Sequence, residues 1–173
     1  DNINPMKGLL LFLRTINDVI TAGVAIISFS LFIYVVTFNL HDRVTRSFTF
    51  LLACIVIIFG SDAFVTTTFR QDELFFILRI QYIGLIFLPT AYFLFSDALL
   101  TTTGKPSKGK RRISGYISFG ISSIFFVLLM NGLLFSEVNV SIPPVPFIER
   151  TLYQDYFIIF FINMMIFSWY NFI

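Results

Sequence analysis

Residues 74–100 read LFFILRIQYIGLIFLPTAYFLFSDALL, with Arg79, Gln81, Tyr82, Pro89 and Asp97 set into an otherwise apolar run. A helix needs roughly 20 apolar residues to cross the ~30 Å hydrocarbon layer of a membrane, and this stretch exceeds that length. It can therefore tilt, or project beyond the bilayer. Pro89 removes one backbone donor and clashes with the preceding turn, so a bend is predicted near residues 85–89, with the Leu85 carbonyl losing its helical donor.

Runs of the same character lie on both sides, at about 15–38 and 48–68 before it and 113–134 and 152–173 after it. The predicted fold is all-α: a polytopic membrane bundle of about five transmembrane helices, forming a single domain over residues 1–173. Composition agrees, with 57% hydrophobic and only 13% charged residues, where soluble domains carry roughly a quarter charged. Residues 6–17, with Leu9, Leu10, Leu13 and Ile16 on one side and Lys7, Arg14 and Asn17 on another, either lie in the interface or extend the first helix. The first apolar run is too long for a signal peptide. A start at Asp1 and an apolar end at Asn171, Phe172 and Ile173 read as the edges of a piece of something longer.

The loops set the expected orientation, because lysine and arginine in short loops favour the cytoplasmic side. Arg43 and Arg46 follow the first crossing, and Lys105, Lys108, Lys110, Arg111 and Arg112 follow the third. The opposite side holds Lys7, Arg70 and Arg150 among Asp1, Asp72, Glu73, Glu137 and Glu149. The N-terminus is thus expected outside the inner (plasma) membrane, with a tight outer turn at 70–73. A polar loop at 135–151, carrying Pro143, Pro144 and Pro146, is expected on the same side.

Charges within the crossings carry the most information, since each costs about 2.5–3.5 kcal/mol at a helix centre on insertion scales. Asp62 and Arg79 are each eight or nine residues from the turn near Arg70, which places both at about 12–13 Å depth on antiparallel neighbours. Two readings stay open: a structural ion pair that sets helix register, or a ligand site with Arg79 anchoring an anion. Arg14 and Asp18, four residues apart, are expected to pair within the first helix. Gln81, Gln154, Asp155 and Asn163 add polar groups to the outer half. Asp97, near the inner end, reads as an interfacial residue that snorkels.

Other signals are weaker. Lys105, Lys108, Lys110, Arg111 and Arg112 can contact anionic lipid headgroups at about 1 kcal/mol each, or simply mark topology. Clustered in loops, they leave no nucleic-acid footprint. The segment 104–107 lacks the spacing of a phosphate-binding loop, and Asn139-Val140-Ser141 is a glycosylation sequon only if the source glycosylates. The single cysteine, Cys54, and single histidine, His41, exclude a disulfide framework and a histidine-rich metal or haem site. Cys54 reads as a small apolar packer. No nucleophile with its base and orienter can be assembled, so no enzyme activity is expected of this chain. No cofactor is evident, although the many phenylalanines, Phe48, Phe59, Phe76 and Phe87 among them, suit lipid, other helices, a pigment or a quinone.

Leu78-Arg79-Ile80-Gln81-Tyr82-Ile83-Gly84, followed by Pro89, Phe95 and Thr103-Gly104, resembles the N-terminal seven-transmembrane region of bacterial histidine kinases and related signalling proteins. Asn131-Gly132-Leu133-Leu134-Phe135 is similar to that family's exit from its fourth helix, and Asp62 has no place in its pattern. The resemblance covers the visible chain in layout and the third helix in sequence. It implies two further crossings and a cytoplasmic output domain downstream. The leading expectation is a sensor region feeding such a domain, with lipid and other transmembrane helices as partners, in a homodimer or a larger complex. The alternative is an accessory or structural subunit of a large respiratory or photosynthetic complex. A transporter is disfavoured by too few helices and no discontinuous pair.

Overall fold

Backbone groups in hydrocarbon must be satisfied without water, and an α-helix does this within one segment. The computed structural model describes residues 5–38, 41–65, 71–104, 109–139 and 147–170. Among them, five helices are long and apolar enough to cross a membrane. These are α1 (Pro5–Phe38), α2 (Arg43–Val65), α3 (Gln71–Thr102), α4 (Lys110–Met130) and α5 (Leu152–Tyr170). Because α1 begins at Pro5, residues 6–17 extend the first helix.

The bundle is built around α3, which buries 50% of its spanning window, the largest share of any helix. Along one side α2 runs antiparallel, with Leu51, Cys54 and Ala91 forming a buried cluster, so Cys54 is indeed a small apolar packer. Gly84 makes this approach possible. A Cβ there would stand 2.9 Å from the Cys54 carbonyl oxygen and 2.9 Å from Ile58 Cγ1, and small residues are how membrane helices pack closely. Against the other side of α3, Ile86 packs with Phe125 and Leu129 of α4, Leu134 just beyond α4, and Phe157 of α5. The Phe125 and Phe157 rings meet edge-on at 5.4 Å, the arrangement their quadrupoles favour. Helix α1 packs on α2 and turns Leu11, Phe12, Val19 and Ile26 outward, as a lipid-facing helix does. Pro89 lies within α3, which is helical on both sides of it.

Helix α4 stops at Met130, short of the expected 134, for a local reason. The Gly132 N–H donates to the Leu129 carbonyl at 3.0 Å and the Leu133 N–H to the Leu128 carbonyl at 3.0 Å. With Gly132 at φ 71°, this is a Schellman stop, for which glycine is the least strained residue. Beyond it, the expected loop contains a two-stranded antiparallel ribbon, β1 (Phe135–Asn139) and β2 (Phe147–Arg150). Phe135 faces Arg150, Val138 faces Ile148 and Asn139 faces Phe147, with an irregularity between the first two pairs. Pro143, Pro144, Pro146 and the sequon residues Val140 and Ser141 lie outside the described residues, as does Arg70 of the expected 70–73 turn.

The two ends of the bundle differ. At the hairpin end, α3 and α5 begin and α4 gives way to the ribbon. At the arginine end, α2 begins with Arg43 and α4 with Lys110, Arg111 and Arg112.

Candidate functional site

A helix advances about 100° per residue, so Arg79, Tyr82, Thr90 and Asp97 fall within an arc of about 80° on α3. That arc faces away from Gly84 and the α2 contact. The polar groups it carries form three stations along the bundle.

At the hairpin end, the Arg79 guanidinium carbon lies 4.8 Å from the centre of the Phe75 ring. Its Nη2 sits close to Gly132, where an added Cβ would be 3.5 Å away. The arginine therefore stands over an aromatic face and beside the C-terminus of α4, whose orphan carbonyls carry partial negative charge. Close by, Gln154 Nε2 donates to the Tyr82 hydroxyl at 3.2 Å. Thr151 joins the two neighbouring helices: its hydroxyl donates to the Leu134 carbonyl at 2.7 Å and accepts from the Gln154 N–H at 3.4 Å, capping α5. Arg79 Nε and Gln154 Oε1 are both buried with no hydrogen-bond partner. A donor and an acceptor left unmatched at one end of a bundle are suited to a polar ligand that brings the complement of each.

The middle station is a hydroxyl cluster. Thr90 Oγ1 lies 2.7 Å from Ser118 Oγ and 2.8 Å from Ser122 Oγ, and Ser122 donates to the Ile86 carbonyl at 3.0 Å. Each hydroxyl has one proton. Since that of Ser122 goes to Ile86, Thr90 donates to Ser122 and Ser118 donates to Thr90. All three are fully shut in. The bonded Ile86 carbonyl is next to that of Leu85, which Pro89 deprives of its usual donor.

At the arginine end, Arg43 Nη2 and Asp97 Oδ2 form an ion pair at 2.8 Å, the arginine side chain 50% exposed and the aspartate 3%. Asp97 Oδ1 is buried with no partner. The expectation that Asp97 snorkels is thus corrected: its carboxylate turns inward and the longer Arg43 reaches it from the start of α2.

Two other expected pairings do not form. Asp62 and Arg79 do share a depth, but Arg79 points about 140° around α3 from Gly84, the residue that meets α2. Among the described residues neither one makes an ion pair. Arg14 and Asp18 do not pair within α1 either. Arginine before aspartate is the poorer order on a helix, and Arg14 is exposed. Asp155 is exposed in the first turn of α5, where a carboxylate suits the helix dipole. Asn163 bonds back to the Ile159 carbonyl. Gln81 lies on α3, half-buried, outside the polar arc. Of the expected lipid-contacting residues, Arg111 and Arg112 line a cleft at the arginine end. Lys105, Lys108 and the Lys110 side chain lie outside the described residues.

Sequence reasoning missed Thr90, Ser118 and Ser122, although serines four apart on α4 put two hydroxyls on one face. It also missed Arg43 as a partner for Asp97, having counted it only as a topology signal. Among the described residues no three of His, Cys, Asp or Glu gather in a way that could hold a metal ion.

The fold and these stations define an all-α bundle of five helices long and apolar enough to cross a membrane, with a polar seam along its most buried helix. No protein-family model, curated protein or solved structure matches the chain.

Proposed function

We propose that this chain is the membrane-embedded sensing region of a signalling protein, with its N-terminus and hairpin end outside and its arginine end in the cytoplasm. The observation that supports this reading is the polar seam on α3. Buried polar groups left without a hydrogen-bond partner cost stability in hydrocarbon, and intramembrane polar residues are a functional hypothesis by default. Here they are spread along the length of one helix, at about 16 Å and then about 10 Å intervals between stations.

In this reading the stimulus engages the unmatched Arg79 Nε and Gln154 Oε1, with Arg79 as anchor for a polar or anionic group. Binding there draws α3, α4 and α5 together, since Arg79, Gly132 and Gln154 belong to or adjoin all three. The hydroxyl cluster beside Pro89 is the place where α3 slides or turns against α4. The Arg43–Asp97 pair then reports that displacement to the cytoplasmic side. The resemblance of residues 78–84 to the sensor regions of histidine kinases agrees with this assignment.

The reading frame beyond Ile173 provides the first test. A phosphoacceptor or nucleotide-cyclising domain supports the reading. A stop soon after Ile173, together with co-purification in a large respiratory or photosynthetic complex, would overturn it in favour of an accessory subunit. Within a signalling parent, Thr90→Val keeps the shape of residue 90 and removes its two hydrogen bonds. Basal output is expected to change several-fold while the amount of folded protein in the membrane does not. Unchanged output would remove the hydroxyl cluster from the mechanism.

A further inference from the structure

At the arginine end, α2, α3 and α4 enclose a cleft of about 750 Å³. Its charged lining is unusual for its composition: Arg43 and Arg46 come from the start of α2, Arg111 and Arg112 from the start of α4, and Asp97 is the sole carboxylate among its lining residues. Arg43 is paired with Asp97, so Arg46 and Arg112 bring positive charge that no lining carboxylate offsets. The cations also sit at helix N-termini, where the dipole already favours negative charge. Helix α4 begins with no side-chain cap and no acidic residue in its first turn. An anion in the cleft offsets both terms. The remaining walls are apolar and aromatic, with Phe93 on α3 and Tyr116 and Phe119 on α4. Tyr116 is 68% exposed and Phe119 48%, so this wall opens to the lipid-facing surface.

We propose that this cleft binds the phosphodiester headgroup of an anionic lipid, with phosphatidylglycerol the chemistry that fits it. The phosphate takes its place between Arg46 and Arg112, whose guanidinium groups recognise it through paired N–H donors. Asp97 is held by Arg43 through one oxygen, and its other oxygen, buried and unpartnered, accepts from a headgroup hydroxyl. The acyl chains run along Phe93, Phe119 and Tyr116. A free inorganic phosphate satisfies the arginines but leaves the aromatic wall of Phe93, Tyr116 and Phe119 uncovered. The site is independent of the signalling reading, since a structural subunit would hold the same lipid.

The test places the full chain in nanodiscs of phosphatidylcholine containing a minor share of phosphatidylglycerol. The chain is then extracted gently, and retained lipid is counted by native mass spectrometry. Preferential retention of phosphatidylglycerol is expected. The double variant Arg46→Gln with Arg112→Gln, which spares the Arg43–Asp97 pair, should lower that preference about 30-fold, the effect of two charges near a lipid surface. Lys105→Gln with Lys108→Gln removes the same charge from the adjacent loop and should leave most of the preference intact. Equal losses in the two double variants would mean diffuse surface charge and overturn the site. Displacement of the lipid by millimolar inorganic phosphate would assign the cleft to a soluble anion and overturn the lipid assignment. The unsubstituted chain supplies an arm that does not depend on folding of a variant. Phosphatidylmethanol, equally charged but without a headgroup hydroxyl, should be retained several-fold less than phosphatidylglycerol, and equal retention would overturn the role given to Asp97.

Discussion

The Asp97 side chain is 3% exposed while that of Arg43 is 50% exposed, so the two partners of this ion pair are not equivalent. Losing the arginine strands a carboxylate that cannot be solvated. Losing the aspartate frees an arginine that can extend towards water or headgroups. Arg43→Gln is therefore expected to lower stability by about 3 kcal/mol, and Asp97→Asn by about 1 kcal/mol, nearer the value of an exposed pair. The double variant should resemble Asp97→Asn alone, giving a clear coupling energy in a thermal-unfolding cycle in detergent. The same cycle on Asp62→Asn and Arg79→Met should be additive, because Arg79 faces the α4 terminus and not α2. Strong coupling between Asp62 and Arg79 would contradict the arrangement of α3 described here.

Between elements, the closest approach depends on one missing side chain. Gly84 lets α3 lie against the Cys54 carbonyl, and a Cβ at 2.9 Å from backbone oxygen cannot be accommodated by rotating a side chain. Gly84→Ala is expected to lower stability by about 1–3 kcal/mol, the range for overpacking, and to lower the melting temperature in detergent. Gly120 on α4 is the control, since nothing lies within 4 Å of its added Cβ. Gly120→Ala should be neutral or slightly stabilising, as alanine is the better helix former. If both substitutions behave alike, the α2–α3 contact is looser than the structure shows. The middle station follows the same logic. Thr90, Ser118 and Ser122 meet because α3 and α4 are close at that level, a contact on the side of α3 away from Gly84.

For the whole molecule, the decisive property is which end faces which side of the membrane. The helices alternate in direction, so a single measurement orients all of them. In a Cys54→Ala background, Ser107→Cys is expected to be protected from an impermeant thiol reagent in intact cells, while Ser141→Cys is labelled. The warrant is the asymmetry of lysine and arginine between the two sets of loops. Labelling at position 107 with protection at 141 would invert the topology. It would also place the arginine cleft in the outer leaflet.

The all-α class and the five helices long and apolar enough to cross a membrane were legible in the sequence, because hydrophobic length is a one-dimensional property that any window of residues displays. The role of Cys54 as a packing residue was legible for a similar reason, as a small apolar side chain within an apolar run. Depth was legible too, since rise per residue is constant, and Asp62 and Arg79 are both placed along their helices as counting requires. Rotation was not. Whether Arg79 meets a carboxylate or a ring depends on which face of α3 lies against α2, and that is set by Gly84 closing on Cys54 and by hydroxyls of α4 reaching Thr90. The union of Arg43 with Asp97, and of four arginines from the starts of two helices over one cleft, likewise required the helices to be packed. Side-chain partners in a bundle follow from angles about several axes at once, and only the tertiary structure resolves those together.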